Sequence, residues 1–235
     1  MASRAALRLV ELPRWPIARM LRLEEALVRH EPGNWCLVTA LPPNDPTVVV
    51  GLGGKPAKLL DAERLRERPA KVIRRFTGGG TVVVNGGTVV SSLIVEKKSG
   101  VTEPFPREIM RWTEAIYKQA FADILDADTF ALRDHDYVVG DKKVGGNAQS
   151  IVKDKFIHHT SFLWDFCPED MKYLKLPEKR PAYRGDRAHH DFLAKIGALS
   201  GSESGAGARR LAQGLEGALG ASFDVTRGSL DELEA

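Results

Sequence analysis

Cysteine is scarce in this 235-residue chain: Cys36 and Cys167 are the only two. They stand far apart and show no CxxC or Cys/His spacing, which excludes a disulfide framework and the ligand pattern of a structural zinc site; both are expected as free thiols in a reducing compartment. No apolar run approaches the roughly 20 residues that cross a bilayer, and no charged head followed by an apolar stretch marks a secretory signal. Net charge is also low, at +3. That gives no reason to expect nucleic acid as a partner, although it suits small anions and an acidic protein surface. The expectation is a soluble, cytoplasmic protein with no membrane association.

The first 22 residues hold Arg4, Arg8, Arg14, Arg19 and Arg22 against the single acid Glu11. This is the bias of an organelle transit peptide and the basis of a mitochondrial or plastid alternative. Against it, residues 7–12 alternate like a short strand and residues 20–30 repeat apolar positions like an amphipathic helix, so both read as parts of the fold.

What is present is 43% hydrophobic and 28% charged residues, the composition of one ordinary globular domain with a substantial core. Strand-like runs rich in Val, Ile, Thr and aromatics span 34–40, 47–51, 72–76, 81–84, 88–95, 137–140 and 155–163. Ile109, Trp112, Ile116, Ala120 and Ile124 lie at helical spacing, as do Leu211, Leu215 and Leu219. Asn85-Gly86-Gly87 between two strand runs predicts a tight hairpin turn and hence antiparallel pairing. Residues 197–207 carry one bulky apolar residue, Leu199, and read as a mobile loop.

Two segments carry candidate chemistry. The first is Arg74-Arg75-Phe76-Thr77-Gly78-Gly79-Gly80-Thr81. Consecutive glycines let backbone N–H groups converge on a carboxylate or phosphate, and the arginines add fixed positive charge. There is no Gly-Lys-Ser/Thr ending and no GxGxxG, so P-loop and Rossmann sites are disfavoured. The second runs from Asp136 through Lys142-Lys143-Val144-Gly145-Gly146-Asn147-Ala148-Gln149 to His158-His159. A lysine held beside a glycine turn can bridge an acyl carboxylate and a nucleotide α-phosphate. Taken singly, each is more often bland: a flexible hairpin with solvated arginines, a lysine-tipped turn, two histidines on opposite strand faces.

Together, about 65 residues apart, the two motifs resemble the lipoate-protein ligase A family, within the biotin/lipoate A/B protein ligase superfamily. Its members combine an Arg-Arg-x-Ser/Thr-Gly-Gly-Gly hairpin with a Lys-x-x-Gly-x-Ala turn leading to a His-His strand. The resemblance runs from about residue 21 to 166 and implies an α/β (α+β) fold: a mixed, largely antiparallel sheet packed with helices, like the catalytic domain of biotin and lipoate protein ligases. It implies that Arg75, Thr77, Gly78, Gly79, Gly80 and Thr81 line the lipoyl and adenylate site. Lys143, and not Lys142, would be the central catalytic lysine, with Gly146, Ala148 and His159 shaping the same cleft. Asp136 would contact the nucleotide and its Mg²⁺; no intrinsic metal is implied.

The implied activity is ATP-dependent activation of lipoate or octanoate and transfer to a lysine of an acceptor. The acceptors would be lipoyl domains of 2-oxoacid dehydrogenase complexes or the glycine cleavage H protein. An ATP-independent octanoyl or lipoyl transferase and a non-catalytic lipoyl-binding protein are the competing readings. Three departures bear on the choice. Gly51-Leu52-Gly53-Gly54-Lys55 stands where the family usually has Gly-Arg-x-Gln-Asn, and Asn85 with Gly87-Thr88 stands where it commonly has Asp with Gly-Asn. The third is that residues 168–235 are read as a C-terminal extension with no recognised accessory domain, so that one catalytic domain covers 1–235 and adenylation either needs a separate accessory protein or does not occur.

Overall fold

The computed structural model describes residues 4–43, 46–126, 128–175 and 182–230, apart from the side chains of 189 and 190. Eleven strands and seven α-helices follow one another among these residues. They are β1 (Ala5–Glu11), α1 (Ile17–Arg29), β2 (Asn34–Ala40), β3 (Thr47–Val50), α2 (Pro56–Leu59), α3 (Ala62–Glu67), β4 (Lys71–Arg74), β5 (Val82–Val84) and β6 (Thr88–Glu96). Then come α4 (Pro106–Ala120), β7 (Phe130–Arg133), β8 (Asp136–Val139), β9 (Lys142–Ile151), β10 (Lys155–Leu163), α5 (His189–Phe192), α6 (Ile196–Ser200), α7 (Ser204–Leu219) and β11 (Phe223–Arg227).

Eight strands form one sheet in the order β11-β1-β2-β6-β10-β9-β8-β7, and three form a second, β4-β3-β5. Pairing is antiparallel except where β1 meets β2 and β11, and where β3 meets β4. The α/β class with a mixed, largely antiparallel sheet is therefore the observed one.

The central strands are covered on both faces, which is why they read as unbroken apolar runs. On β2, Cys36, Val38 and Ala40 join the core under α4 and α7, while Trp35 and Leu37 join the core under α1; β6 divides Val89 and Leu93 from Val90 and Ile94 in the same way. The arginine-rich start of the chain belongs to this structure from Ala5 onward, since Leu7 and Leu9 of β1 are fully buried. No helix among the described residues is long and apolar enough to cross a membrane.

Three expectations are corrected. Asn85-Gly86-Gly87 is not a hairpin turn: β5 pairs with β3 in the small sheet, whereas β6 pairs with β2 and β10 in the large one. Neither Gly86 nor Gly87 takes positive φ. They are small because backbone passes close by: a Cβ on Gly87 would lie 2.2 Å from the Asp165 carbonyl oxygen, and one on Gly86 2.7 Å from Pro43 Cα. Residues 197–207 are not a loop but contain most of α6 and the start of α7. Gly197 and Gly207 make room for Trp164, whose ring would sit 2.1 Å from a Cβ on Gly207, and whose indole N–H donates to the Ser202 carbonyl. The second glycine segment is likewise no turn; it is the interior of the ten-residue strand β9.

The same accounting separates two glycines of α7. A Cβ on Gly214 would lie 2.2 Å from the Ala120 carbonyl at the end of α4, whereas nothing lies within 4 Å of one on Gly217. Gly214→Ala is expected to cost about 1–3 kcal/mol by forcing the two helices apart. Gly217→Ala should stabilise by about 0.5–1 kcal/mol through helix propensity. Urea denaturation of the two variants checks the opposite signs.

Candidate active site

The glycine segment is held by an arginine rather than left open. β4 and β5 lie on either side of β3, so residues 75–81 must cross the end of β3. Arg75 directs that crossing: its Nε and Nη2 donate to Gly78 O (3.2 and 2.8 Å), Nη2 also to Gly80 O (2.6 Å), and Nη1 to Val49 O (3.3 Å). Arg75 is 4% exposed. Burial pulls its pKa down to about 10, partly offset by the charge of Glu24, so it stays cationic at neutral pH. Gly79 takes φ +97°, and its carbonyl approaches Gly51 so closely that a Cβ there would meet it at 2.2 Å. Arg74 turns the other way and donates to the carbonyls of Gly51, Leu52 and Gly54 (3.0, 2.8 and 2.9 Å), fixing the segment that departs from the family pattern.

A bulge aims the lysine. Asp136 pairs with Gly146 and Tyr137 with Gly145, but Val138 pairs with Lys143, leaving Val144 as an extra residue on β9. Residues three apart on a regular strand point to opposite faces; the extra residue puts Lys143 and Gly146 on the same one. The lysine arches over Gly146, where a Cβ would lie 3.1 Å from Nζ. Nζ meets Asp136 Oδ1 at 2.6 Å, and Tyr183 donates its hydroxyl to Asp136 Oδ2 at 2.9 Å. Burial and the facing carboxylate push the Tyr183 phenol well above its ordinary range, so it remains a donor. Lys142 is exposed.

Two cavities meet at this ion pair and share Gly80, Thr81, Val82, Val84, Asp136, Lys143, Gly146 and Ser161 as walls. One, of about 280 Å³, is closed by Leu163, Met171, Phe192 and Leu193, with Lys175 and Arg184 also on its wall. The other, of about 440 Å³, runs from the glycine loop past Ile17, Val49 and Met110 to Ala148, Gln149 and His159. Arg75, Gly78 and Gly79 line this second cavity. Thr77 lies elsewhere: it is fully buried beneath the loop, on neither wall, and its hydroxyl has no protein partner among the described residues.

His158 and His159 face opposite sides of β10, as neighbours on a strand must. His159 points to α1, where Nδ1 meets Glu24 Oε1 at 2.8 Å. His158 points to α4, where its ring nitrogens meet Tyr137 and Gln149, each at 2.9 Å. Burial, then the neighbouring His159, pulls the His158 pKa down to about 3, so its ring is neutral in the folded protein.

Sequence reading missed Glu24, Gln149 and Tyr183. Glu24 had a signal, since it occupies a position of the apolar stripe Ile17, Met20, Leu21, Leu27 and Val28 on α1 and is fully buried there. A carboxylate on a buried stripe requires a partner, and Ser92 and His159 supply it. Tyr183 stands in the basic and aromatic run 172–184, which reads either as a segment folding over the site or, more simply, as a solvated surface; no role for its hydroxyl is marked there.

Comparison with known proteins gives a consistent picture. The family model of the lipoyl protein ligase A/B catalytic domain matches residues 16–202. A Plasmodium falciparum protein named inactive lipoate–protein ligase 2 is 30% identical, over 70% of this chain and 50% of its own length. The chain spans about half the length of that relative. Among solved structures, the bipartite lipoate protein ligase of Thermoplasma acidophilum superposes with a TM-score of 0.76 at 18% identity, covering 98% of this chain and 89% of that one. A lipoate-protein ligase A crystallised with ATP superposes with 0.73 at 17% identity, covering 100% and 91%. At such identities the likeness is one of fold.

Two outcomes test the site as described. Arg75→Lys keeps the charge but cannot serve three carbonyls with a planar fork, and should cost about 2–3 kcal/mol in urea denaturation. For His158, an unfolded chain takes up a proton near pH 6.5 that the folded chain refuses down to about 3. Its contribution is complete above pH 6.5 and is lost as the pH falls, with a slope of about 1.4 kcal/mol per unit. Stability measured across that window should decline less steeply in His158→Gln.

Proposed function

This chain belongs to the lipoyl protein ligase A/B catalytic domain family, and from that premise we propose that it is a lipoate–protein ligase. The observation that carries the reading is the Lys143 ammonium, held by Asp136 over Gly146 where the two cavities meet. The second cavity, with apolar walls from Ile17, Val49 and Met110 and a glycine edge, suits an extended acyl chain whose carboxylate reaches Lys143. The first suits the base and sugar of a nucleotide, with Lys175 and Arg184 near its phosphates.

In the first half-reaction a lipoate or octanoate oxygen attacks the α-phosphorus of ATP, the bond to the β-phosphate oxygen breaks, and pyrophosphate leaves. Lys143 neutralises the charge gathering between carboxylate and phosphate. In the second, an acceptor lysine amine attacks the acyl carbon, the bond to AMP breaks, and the amine loses a proton. Mg²⁺ would enter with the nucleotide. Asp136 is the one carboxylate on the shared wall, and since Lys143 and Tyr183 occupy its oxygens, most of the metal's ligands would be phosphate oxygens and water. The Thermoplasma ligase studied with its E2 lipoyl domain supports a lipoyl domain as acceptor and a separate accessory protein.

A second reading, lipoyl binding without adenylation, is supported by the identity to a relative named inactive. A cysteine-dependent acyl transfer is not supported: Cys36 is fully buried with its thiol pushed up to about 12 by burial, and Cys167 lies on neither cavity wall.

The test incubates the protein with ATP, Mg²⁺, lipoate or octanoate, and an apo lipoyl domain, following pyrophosphate and acceptor mass. Both products are expected, and Lys143→Ala should lower both rates about 10²–10³-fold. Modification only from preformed lipoyl-adenylate points to a missing adenylation partner. Lipoate binding with neither product selects the binding-protein reading.

A further inference from the structure

A closed ring of hydrogen bonds begins and ends on the first turns of α4. At one end, Gln149 Nε2 lies 3.3 Å from the Pro106 carbonyl and 2.9 Å from His158 Nδ1. A carbonyl can only accept, so the amide nitrogen faces both groups and His158 Nδ1 carries no proton. At the other end, the Thr113 hydroxyl donates to the Ile109 carbonyl at 2.9 Å, which leaves it to accept from Tyr137 at 2.8 Å. Tyr137 has then given its proton away and accepts from His158 Nε2–H at 2.9 Å. Both ends demand the same tautomer, so every donor between Gln149 and Ile109 is assigned in one direction. The depressed basicity of His158 agrees, since a protonated ring would place a second N–H against the Gln149 amide.

We propose that this ring is a positioning device, in which Gln149, His158, Tyr137 and Thr113 fix the breadth of the second cavity and with it the width of acyl chain that enters. Pro106 and Met110 of α4 form one part of that cavity's lining, and Gly78–Gly80 form another. Gln149 ties these two parts together: its side chain holds Pro106, and its main-chain carbonyl accepts from the Gly78 N–H at 3.1 Å. Tyr137 and Thr113 touch neither cavity, so any effect they have on ligand choice passes through α4. The inference rests on the acyl reading of the second cavity only for the nature of its ligand.

The test uses Tyr137→Phe and Thr113→Val, which keep shape and remove one hydroxyl, with Thr113→Ser as the variant that restores it. Calorimetric affinities are measured for octanoate, lipoate and 6-phenylhexanoate, and amide exchange across residues 107–113 is followed without ligand. The wild-type chain is expected to disfavour the phenyl acid by about tenfold or more relative to octanoate. Tyr137→Phe and Thr113→Val should narrow that ratio about threefold or more and speed exchange in the first turns of α4, and Thr113→Ser should restore both. A common loss of affinity for all three acids at an unchanged ratio overturns the proposal, as does exchange that ignores the substitutions. If the wild-type chain binds none of the acids while exchange responds as expected, the positioning of α4 stands and the acyl reading of the cavity falls.

Discussion

The glycine loop at the site leans on a cation buried among carbonyls. Among the described residues no carboxylate is in contact with Arg75; its guanidinium is satisfied by main-chain oxygens of Val49, Gly78 and Gly80. Removing such a charge from water costs several kcal/mol unless its donors are all used, and charge-assisted bonds of about 1.5–3 kcal/mol each supply the compensation. The interaction works in both directions. Carbonyls drawn onto the arginine set the path of the glycine loop, and a loop on that path closes the end of the small sheet and forms the edge of the second cavity. Gly51 and Gly79 follow from this geometry, because a Cβ on Gly51 would meet the Gly79 carbonyl and one on Gly79 would meet the guanidinium.

The lysine is placed by a different device, one of register. A single extra residue, Val144, turns Lys143 onto the face occupied by Asp136 and Gly146. The carboxylate then holds the ammonium, and Tyr183 holds the carboxylate. An ammonium so anchored is presented to a ligand in one orientation, at the junction of two cavities, with little rotamer freedom left to lose on binding. Gly145 and Gly146 are small for unlike reasons: the first lies against the Phe162 ring, the second under the lysine stem. A run that reads as a loop-forming pair is thus a strand thinned on both faces.

This explains which parts were legible in the sequence. Side-chain chemistry and local periodicity were: the arginine beside three glycines, the lysine beside a glycine pair, the double-sided apolar strands, and the helical stripes of α1, α4 and α7. Partners were not. Val82–Val84 and the run from Thr88 both look like strands joined by a turn, and nothing local says that they belong to different sheets. The bulge at Val144 exists only relative to β8. Small residues misled most, since Gly86, Gly87 and Gly207 mark close approach by Pro43, Asp165 and Trp164, while their spacing suggests flexibility.

The C-terminal third shows how far the site depends on long-range packing. Residues beyond 168 read as an extension with one helical stripe; Leu211, Leu215 and Leu219 of that stripe, on α7, enter the main core, and β11 extends the large sheet beside β1. Ahead of both in the chain, Leu193 pairs with Lys143, and the Ala194 N–H donates to the Lys143 carbonyl at 2.9 Å. The main chain of Lys143 is therefore held by the same segment whose Tyr183 holds its side-chain partner and whose Phe192 closes the first cavity. One segment thus supplies the main-chain contact to Lys143, the hydroxyl that holds its partner Asp136 and a wall of the first cavity, and all three would be lost together if that segment swung away. The C-terminal part of the chain is thus a wall of the site, and the positions of Lys143 and of the first cavity are coupled through it.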